Sequence, residues 1–144
     1  MKHFDVLVIG AGVGGACAAI AVARRGLRVL LVEAGAMPRH KVCGEFLSPE
    51  IQGVFARLAV LERVMETGAR PVTEANLYAG ARCMGVTPFP RPGLALSRRA
   101  LDLALWRAAN VCGVCCLEKT SVVRIDENGE QGFAAFDTDG NEYR

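Results

Sequence analysis

The chain has 144 residues, enough for one domain with a core of its own. Apolar residues make up 51% and charged residues 22%, which excludes a disordered chain. The net charge of +2 argues against binding nucleic acid through a basic surface.

Phe4–Gly10 is short, β-branched and almost wholly apolar, which predicts a strand buried on both faces of a parallel sheet. The turn Gly10-Ala11-Gly12-Val13-Gly14-Gly15 follows. Ala16–Arg25 is Ala-rich and predicts a helix ended by Gly26. Leu27–Val32 then reads as a second strand, with Glu33 at its end. Together these make a β-α-β unit with a right-handed crossover. Glycines interrupt the apolar start and Arg24 and Arg25 follow, so it fits neither a signal peptide nor a membrane helix. The expectation is a cytoplasmic protein whose cysteines (17, 43, 83, 112, 115 and 116) are reduced thiols.

Gly35–Pro49 reads as a loop with a basic stretch, Arg39-His40-Lys41. Ile51, Val54, Phe55, Leu58, Leu61 and Val64 recur at three and four, so Ser48–Met65 predicts one amphipathic helix. Val72–Ala79 and Met84–Thr87 predict short strands, followed by a rigid proline-rich connector over Thr87–Gly93 and a strand at Leu94–Ser97. Arg98–Asn110 predicts a helix capped by Ser97. Val114–Leu117, Ser121–Ile125 and Gly132–Phe136 predict strands, with Asn128-Gly129 and Asp139-Gly140 as two-residue turns. The expected fold is α/β: a Rossmann-type β-α-β with a parallel sheet, plus a small antiparallel portion from residues 72–97.

Gly10-x-Gly12-x-x-Gly15 follows a strand, opens a helix and has an acid about 20 residues on, as a dinucleotide site requires. The first glycine permits the tight turn, the second clears space for a diphosphate, and the third lets helix and strand approach. Free amides at the helix start would hold the phosphates. Glu33 would accept hydrogen bonds from an adenosine ribose and repel a 2′-phosphate, favouring FAD or NAD over NADP. The motif alone does not separate FAD from NAD, and a tight turn without a ligand would look the same in sequence.

Other constellations read as structure. Cys112-Gly-Val-Cys115-Cys116 lies where a helix runs into a strand, which suits packing rather than a redox pair. His3 and His40 lack metal-ligand spacing, so no metal is assigned. Trp106 reads as packing. No nucleophile elbow, Walker lysine or His-Glu-x-x-His occurs, leaving hydrolysis and phosphoryl transfer without support.

Pro38-Arg39-His40-Lys41-Val42-Cys43-Gly44, with Leu47-Ser48-Pro49 behind it, resembles the signature after the second strand of geranylgeranyl-reductase-type flavoproteins. Arg98-Arg99-Ala100-Leu101-Asp102-Leu103-Ala104-Leu105, then Ala109 and Gly113, resembles a helix shared more widely by p-hydroxybenzoate-hydroxylase-like flavoproteins. Those include aromatic monooxygenases and flavin-dependent halogenases. The similarity runs from about residue 4 to about residue 136, with the motifs in family order.

The resemblance implies FAD, with NAD(P)H as electron donor. It places Gly10, Ala11, Gly12, Val13, Gly14 and Gly15 at the pyrophosphate, and Glu33 with Ala34 at the ribose. Arg39, Lys41, Cys43 and Gly44 fall on a loop on the flavin side, Arg98 at the diphosphate, and Val122 beside the adenine through its backbone. A cation at a helix start is unfavourable without an anion to offset it, which independently supports the role of Arg98. Cys43 is the one candidate for chemistry, as a proton donor or a gate, and a thiol there would serve equally to shape the pocket.

The implied partner is a small-molecule substrate, prenyl or aromatic. Reduction of an unsaturated substrate is the first expectation, and hydroxylation or halogenation the alternative. A non-catalytic dinucleotide-binding module or inactive fragment is the reading from another class. Family members are longer, so residues 1–144 are expected to be an N-terminal FAD-binding domain, with 72–97 opening the substrate-domain portion. Such a piece should hold FAD weakly, lack turnover, and expose a sheet edge open to oligomerisation or a partner chain.

Overall fold

A computed structural model describes residues 3–127 and 132–144. The chain opens with β1 (Val6–Ile9), α1 (Val13–Ala23) and β2 (Val29–Val32), the expected β-α-β unit. α4 (Arg98–Val111) later leads into β6 (Cys115–Leu117). These strands form a parallel sheet in the order β1-β2-β6, with Val6 opposite Val29 and Leu30 opposite Cys115.

The strand buried on every residue is β2, not β1. β1 is half-buried and pairs only with β2, so the expectation of a first strand covered on both faces is corrected. The physical reason lies in the crossovers. α1 carries the chain to one side of β1, and α4 returns β6 to the far side of β2. Among the described residues no strand reaches the other edge of β1.

Ala16, Ala19 and Ile20 of α1 meet Leu101, Leu105 and Ala108 of α4 in the core over Val29 and Leu31. Small side chains on α1 let the helix lie close to the sheet. Leu101 and Leu105 are fully buried, each burial contributing on the order of 2 kcal/mol. As expected, the Ser97 hydroxyl caps α4, accepting from the Ala100 N–H at 3.2 Å.

The single helix expected over Ser48–Met65 is two, α2 (Glu50–Arg57) and α3 (Leu61–Glu66). Ala59 breaks the run in the left-handed region, at φ 52°. The Val60 N–H reaches the Phe55 carbonyl at 2.9 Å and the Ala59 N–H reaches Ala56 at 2.9 Å, a Schellman termination built on alanine instead of glycine. Phe55, Val60 and Val64 are thereby all turned into the core.

The proline stretch is strand rather than connector. β4 (Arg70–Ala79) and β5 (Arg82–Ala95) form one long antiparallel hairpin. Pro88 pairs with Glu74 and Gly93 with Val72, so Phe89–Pro92 stand opposite Thr73 alone. This wide bulge takes up Pro90 and Pro92, which cannot donate to a ladder. β3 (Phe46–Leu47), unforeseen in the sequence, pairs with Leu94 and Ala95 on the other side of β5. A Cβ on Gly93 would lie 2.8 Å from the Leu47 carbonyl oxygen, so this approach requires glycine.

β7 (Val122–Glu127), β8 (Phe133–Asp137) and β9 (Glu142–Tyr143) form a second antiparallel sheet. The Asn128-Gly129 turn lies outside the described residues. Asp139-Gly140 sits in a four-residue connection between β8 and β9 rather than a two-residue one, because Asp137 organises it. That carboxylate accepts from the Asp139 and Asn141 amides, the Asn141 side chain and the Tyr143 hydroxyl. Among the described residues, no helix is long and apolar enough to cross a membrane.

Candidate functional site

The site grows from the turn between β1 and α1. Gly10 takes φ 98°, a conformation that suits glycine, and its N–H donates to the Val32 carbonyl at 2.8 Å. A Cβ on Gly15 would fall 1.9 Å from the Gly10 carbonyl oxygen, so helix and strand meet there with no room for a side chain. A Cβ on Gly14 would meet nothing within 4 Å, and one on Gly12 only the Arg98 Nη2, at 3.6 Å. The glycines thus serve two ends: Gly15 closes the fold and Gly12 keeps an opening clear.

α1 begins in that opening. Gly12 is its N-cap and supplies no side-chain cap, and no acidic residue stands in the first turn. The Ala16 N–H closes the first turn onto the Gly12 carbonyl at 2.9 Å. The amides before it have no acceptor inside the helix, and the dipole makes the position favourable for an anion.

Arg98 enters from the start of α4. Its Nε and Nη2 fork onto the two oxygens of Asp102, at 2.9 and 3.0 Å. Asp102 is fully buried and the guanidinium is 16% exposed. The Asp102 carboxylate, and to a lesser degree the Cys43 thiol, hold the Arg98 pKa above its ordinary value. The cation is therefore aimed beside Gly12. Asp102 stood in the sequence motif without a role, although its i,i+4 spacing from Arg98 is a signal for such a pair.

Glu33 is buried at the end of β2. Its Oε2 accepts from the Ala11 N–H and from Arg39 Nη2, both at 2.9 Å, and its Oε1 from the Gly35 N–H at 3.0 Å. Arg39, from the basic stretch of the loop after β2, therefore pairs with Glu33. Charge pairing with a buried carboxylate is the reason. Lys41, Cys43, Gly44 and Ala34 are exposed. The segment leading to Val122 runs along Glu33: the Glu33 N–H donates to Leu117 at 2.8 Å, and the Thr120 N–H to the Glu33 carbonyl at 2.9 Å. Val122 follows, half-buried, at the start of β7.

Two groups remain apart. Cys112 ends α4 and Cys115 and Cys116 lie in β6; burial, with Cys115 beside it, pushes the Cys116 thiol up to about 12, so it is not a ready nucleophile. A cavity of about 650 Å³ on the outer side of α4 is lined by Met37, Leu103, Trp106 and Val111 and contains none of the candidate residues. Trp106 packs against the core from there, as expected.

Comparison with known proteins matches residues 3–144 to the family described as FAD binding domain. The menaquinone reductase of Mycolicibacterium smegmatis is 32% identical over 144 residues, covering 95% of this chain and 34% of that protein. The squalene monooxygenase of Candida glabrata is 31% identical over 87 residues, 60% of this chain and 18% of that protein. PqsL of P. aeruginosa, in complex with 2-aminobenzoylacetate, superposes with a TM-score of 0.85 at 22% identity, over 99% of this chain and 41% of that one. The chain thus spans well under half the length of each of these proteins.

Proposed function

This chain belongs to the FAD binding domain family, and from that premise we propose that it holds the adenosine diphosphate part of FAD in a flavin-dependent oxidoreductase. One observation carries the reading. The uncapped start of α1 and the partly buried Arg98, held by Asp102, converge on the opening at Gly12, where a Cβ would find only Arg98 at 3.6 Å. A cation and a row of free amides around a clear space fit a diphosphate.

FAD, when bound, supplies the redox chemistry. The amides of Val13, Gly14 and Gly15 bind the phosphates, Arg98 neutralises them, and Asp102 orients Arg98. Glu33 receives the ribose, and the backbone at Val122 borders the adenine. Lys41, Cys43 and Gly44 lie on the loop leading to the flavin end, with Cys43 as proton donor or gate. A nicotinamide, NADH or NADPH, is the electron donor. The hairpin β4–β5 opens the portion that meets the substrate.

Reduction of an unsaturated, prenyl substrate is favoured by the likeness of Pro38–Gly44 to geranylgeranyl-reductase-type flavoproteins and by the match to a menaquinone reductase over 95% of the chain. Monooxygenation is the second reading, favoured by the match to a squalene monooxygenase. Titrating the 144-residue chain with FAD tests the cofactor: saturable binding that ADP competes away supports it, and no binding of either overturns it. Product analysis in a longer protein carrying this chain separates the two activities. A saturated product supports reduction, and an oxygen-dependent hydroxylated or epoxidised product overturns it.

A further inference from the structure

We propose that the cavity on the outer side of α4 is a second binding site, taking a small apolar carboxylate held by Arg63 and Arg107. It stands apart from the FAD reading, because none of the residues assigned to FAD lines it. The cavity measures about 650 Å³, within the size range of small-molecule sites. Met37, Leu103, Trp106 and Val111 form its apolar wall. Cys116 adds to that wall and not to its charge: its thiol, pushed up to about 12 by burial, stays protonated at neutral pH. Val111 is 67% exposed although apolar, and Trp106 is only half-buried. Covering such surface is favourable.

Charge decides what covers it. α3 and α4 lie against each other, with Val64 and Ala104 buried in the same core. Arg63 of one helix and Arg107 of the other both line this cavity, and both line the adjoining one of about 350 Å³. Among the described residues neither makes an ion pair, whereas Arg28, Arg39, Arg91, Arg98, Arg124 and Arg144 each do. The acids nearby leave them so: Glu118 accepts the Met37 N–H at 2.6 Å, and Glu66 lines only the smaller cavity. Two cations that share a wall repel each other, and an anion between them offsets that cost. A guanidinium matches the two oxygens of a carboxylate with two parallel donors. A neutral apolar ligand would leave both cations unpaired, and a bare inorganic anion would leave Trp106 and Val111 uncovered. A chain or ring ending in a carboxylate satisfies both.

Trp106 is the only tryptophan in the chain, so its fluorescence reports on this cavity alone. The experiment titrates the 144-residue chain with octanoate, below its micellar range, and with octanamide, its uncharged counterpart. Octanoate should shift the Trp106 emission to the blue in a saturable way. Octanamide should bind about tenfold more weakly, the size of one charged hydrogen bond. Arg63→Met and Arg107→Met should each shrink that preference, and the double variant should bind both probes alike. Both arginines are exposed, so the substitutions touch no core contact. Where a methionine variant does not fold, Val111→Glu at the exposed rim carries the test: the added negative charge should weaken octanoate more than octanamide. No saturable shift with octanoate, octanamide binding as tightly as octanoate, or an undiminished preference in the double variant overturns the proposal, as does a Val111→Glu that weakens the two probes equally.

Discussion

Gly15 packs so tightly over Gly10 that a Cβ on Gly15 would stand 1.9 Å from the Gly10 carbonyl oxygen. The contact is backbone to backbone, so no side chain can rotate away. Gly15→Ala should therefore push α1 off β1 and cost on the order of 3 kcal/mol, visible as a lowered thermal midpoint. Gly14→Ala, where a Cβ meets nothing within 4 Å, should leave stability unchanged or slightly raised. Equal midpoints for the two variants would refute this.

Asp102 is the buried anchor of Arg98. Asp102→Ala would leave a guanidinium that is only 16% exposed without its partner, at a cost of about 3 kcal/mol. It should also weaken FAD binding, because Arg98 loses its aim. Denaturant unfolding and an FAD titration measure the two effects. Unchanged FAD affinity in a folded Asp102→Ala would remove Asp102 from the site.

Acid should loosen the β7–β9 sheet through Asp137. Asn141 first, then Tyr143 and the backbone amides, hold its carboxyl down from 3.8 to about 2. A folded value below the unfolded one means a contribution complete above about pH 4 and lost as pH falls through about 2. Asp5, held down to about 2 by Arg28, acts in the same window. Its pair is exposed, so its share should fade with added salt. Acid unfolding followed in Asp137→Asn should show a shallower loss over that range; a profile identical to wild type would count against the assignment.

The six thiols should separate by reactivity. Cys43 and Cys83 are exposed, whereas Cys17 and Cys116 are partly buried with raised pKa values, Cys116 to about 12. Alkylation near pH 8 followed by mass mapping should label Cys43 and Cys83 first, and Cys116 only on unfolding. Early labelling of Cys116 would contradict its placement in β6.

Removing the Glu33 carboxylate tests both the fold and the proposed ribose contact. Glu33→Ala strips an acceptor from Ala11, Gly35 and Arg39 at once. It should lower stability by about 2 kcal/mol and ADP affinity at least tenfold. Glu33→Gln keeps an acceptor oxygen and should lose less of both. Calorimetry with ADP distinguishes the variants, and wild-type ADP affinity in Glu33→Ala would exclude the residue from the ribose site.

Local patterns carried the β-α-β unit and the Ser97 cap because each depends on residues within a few positions of one another. The proline segment misled for the opposite reason. Its strand character depends on pairing with β4, the extra residues of β5 bulging opposite Thr73, a partner that no local pattern names. Ala59 hid the break between α2 and α3, since termination there uses a left-handed alanine where the usual signal is glycine.

The sequence by itself determined the glycine-rich turn, the acid at the end of the second strand, and the arginine that begins α4. Their types and spacing answer to local geometry: a tight turn, a helix start, a charge out of place at that start. Only the tertiary structure decided that β2 is the central strand, that Asp102 locks Arg98, and that Arg39 belongs to Glu33. Those outcomes depend on which surfaces the crossovers bring together, and burial then forces each charge to find its partner across the fold.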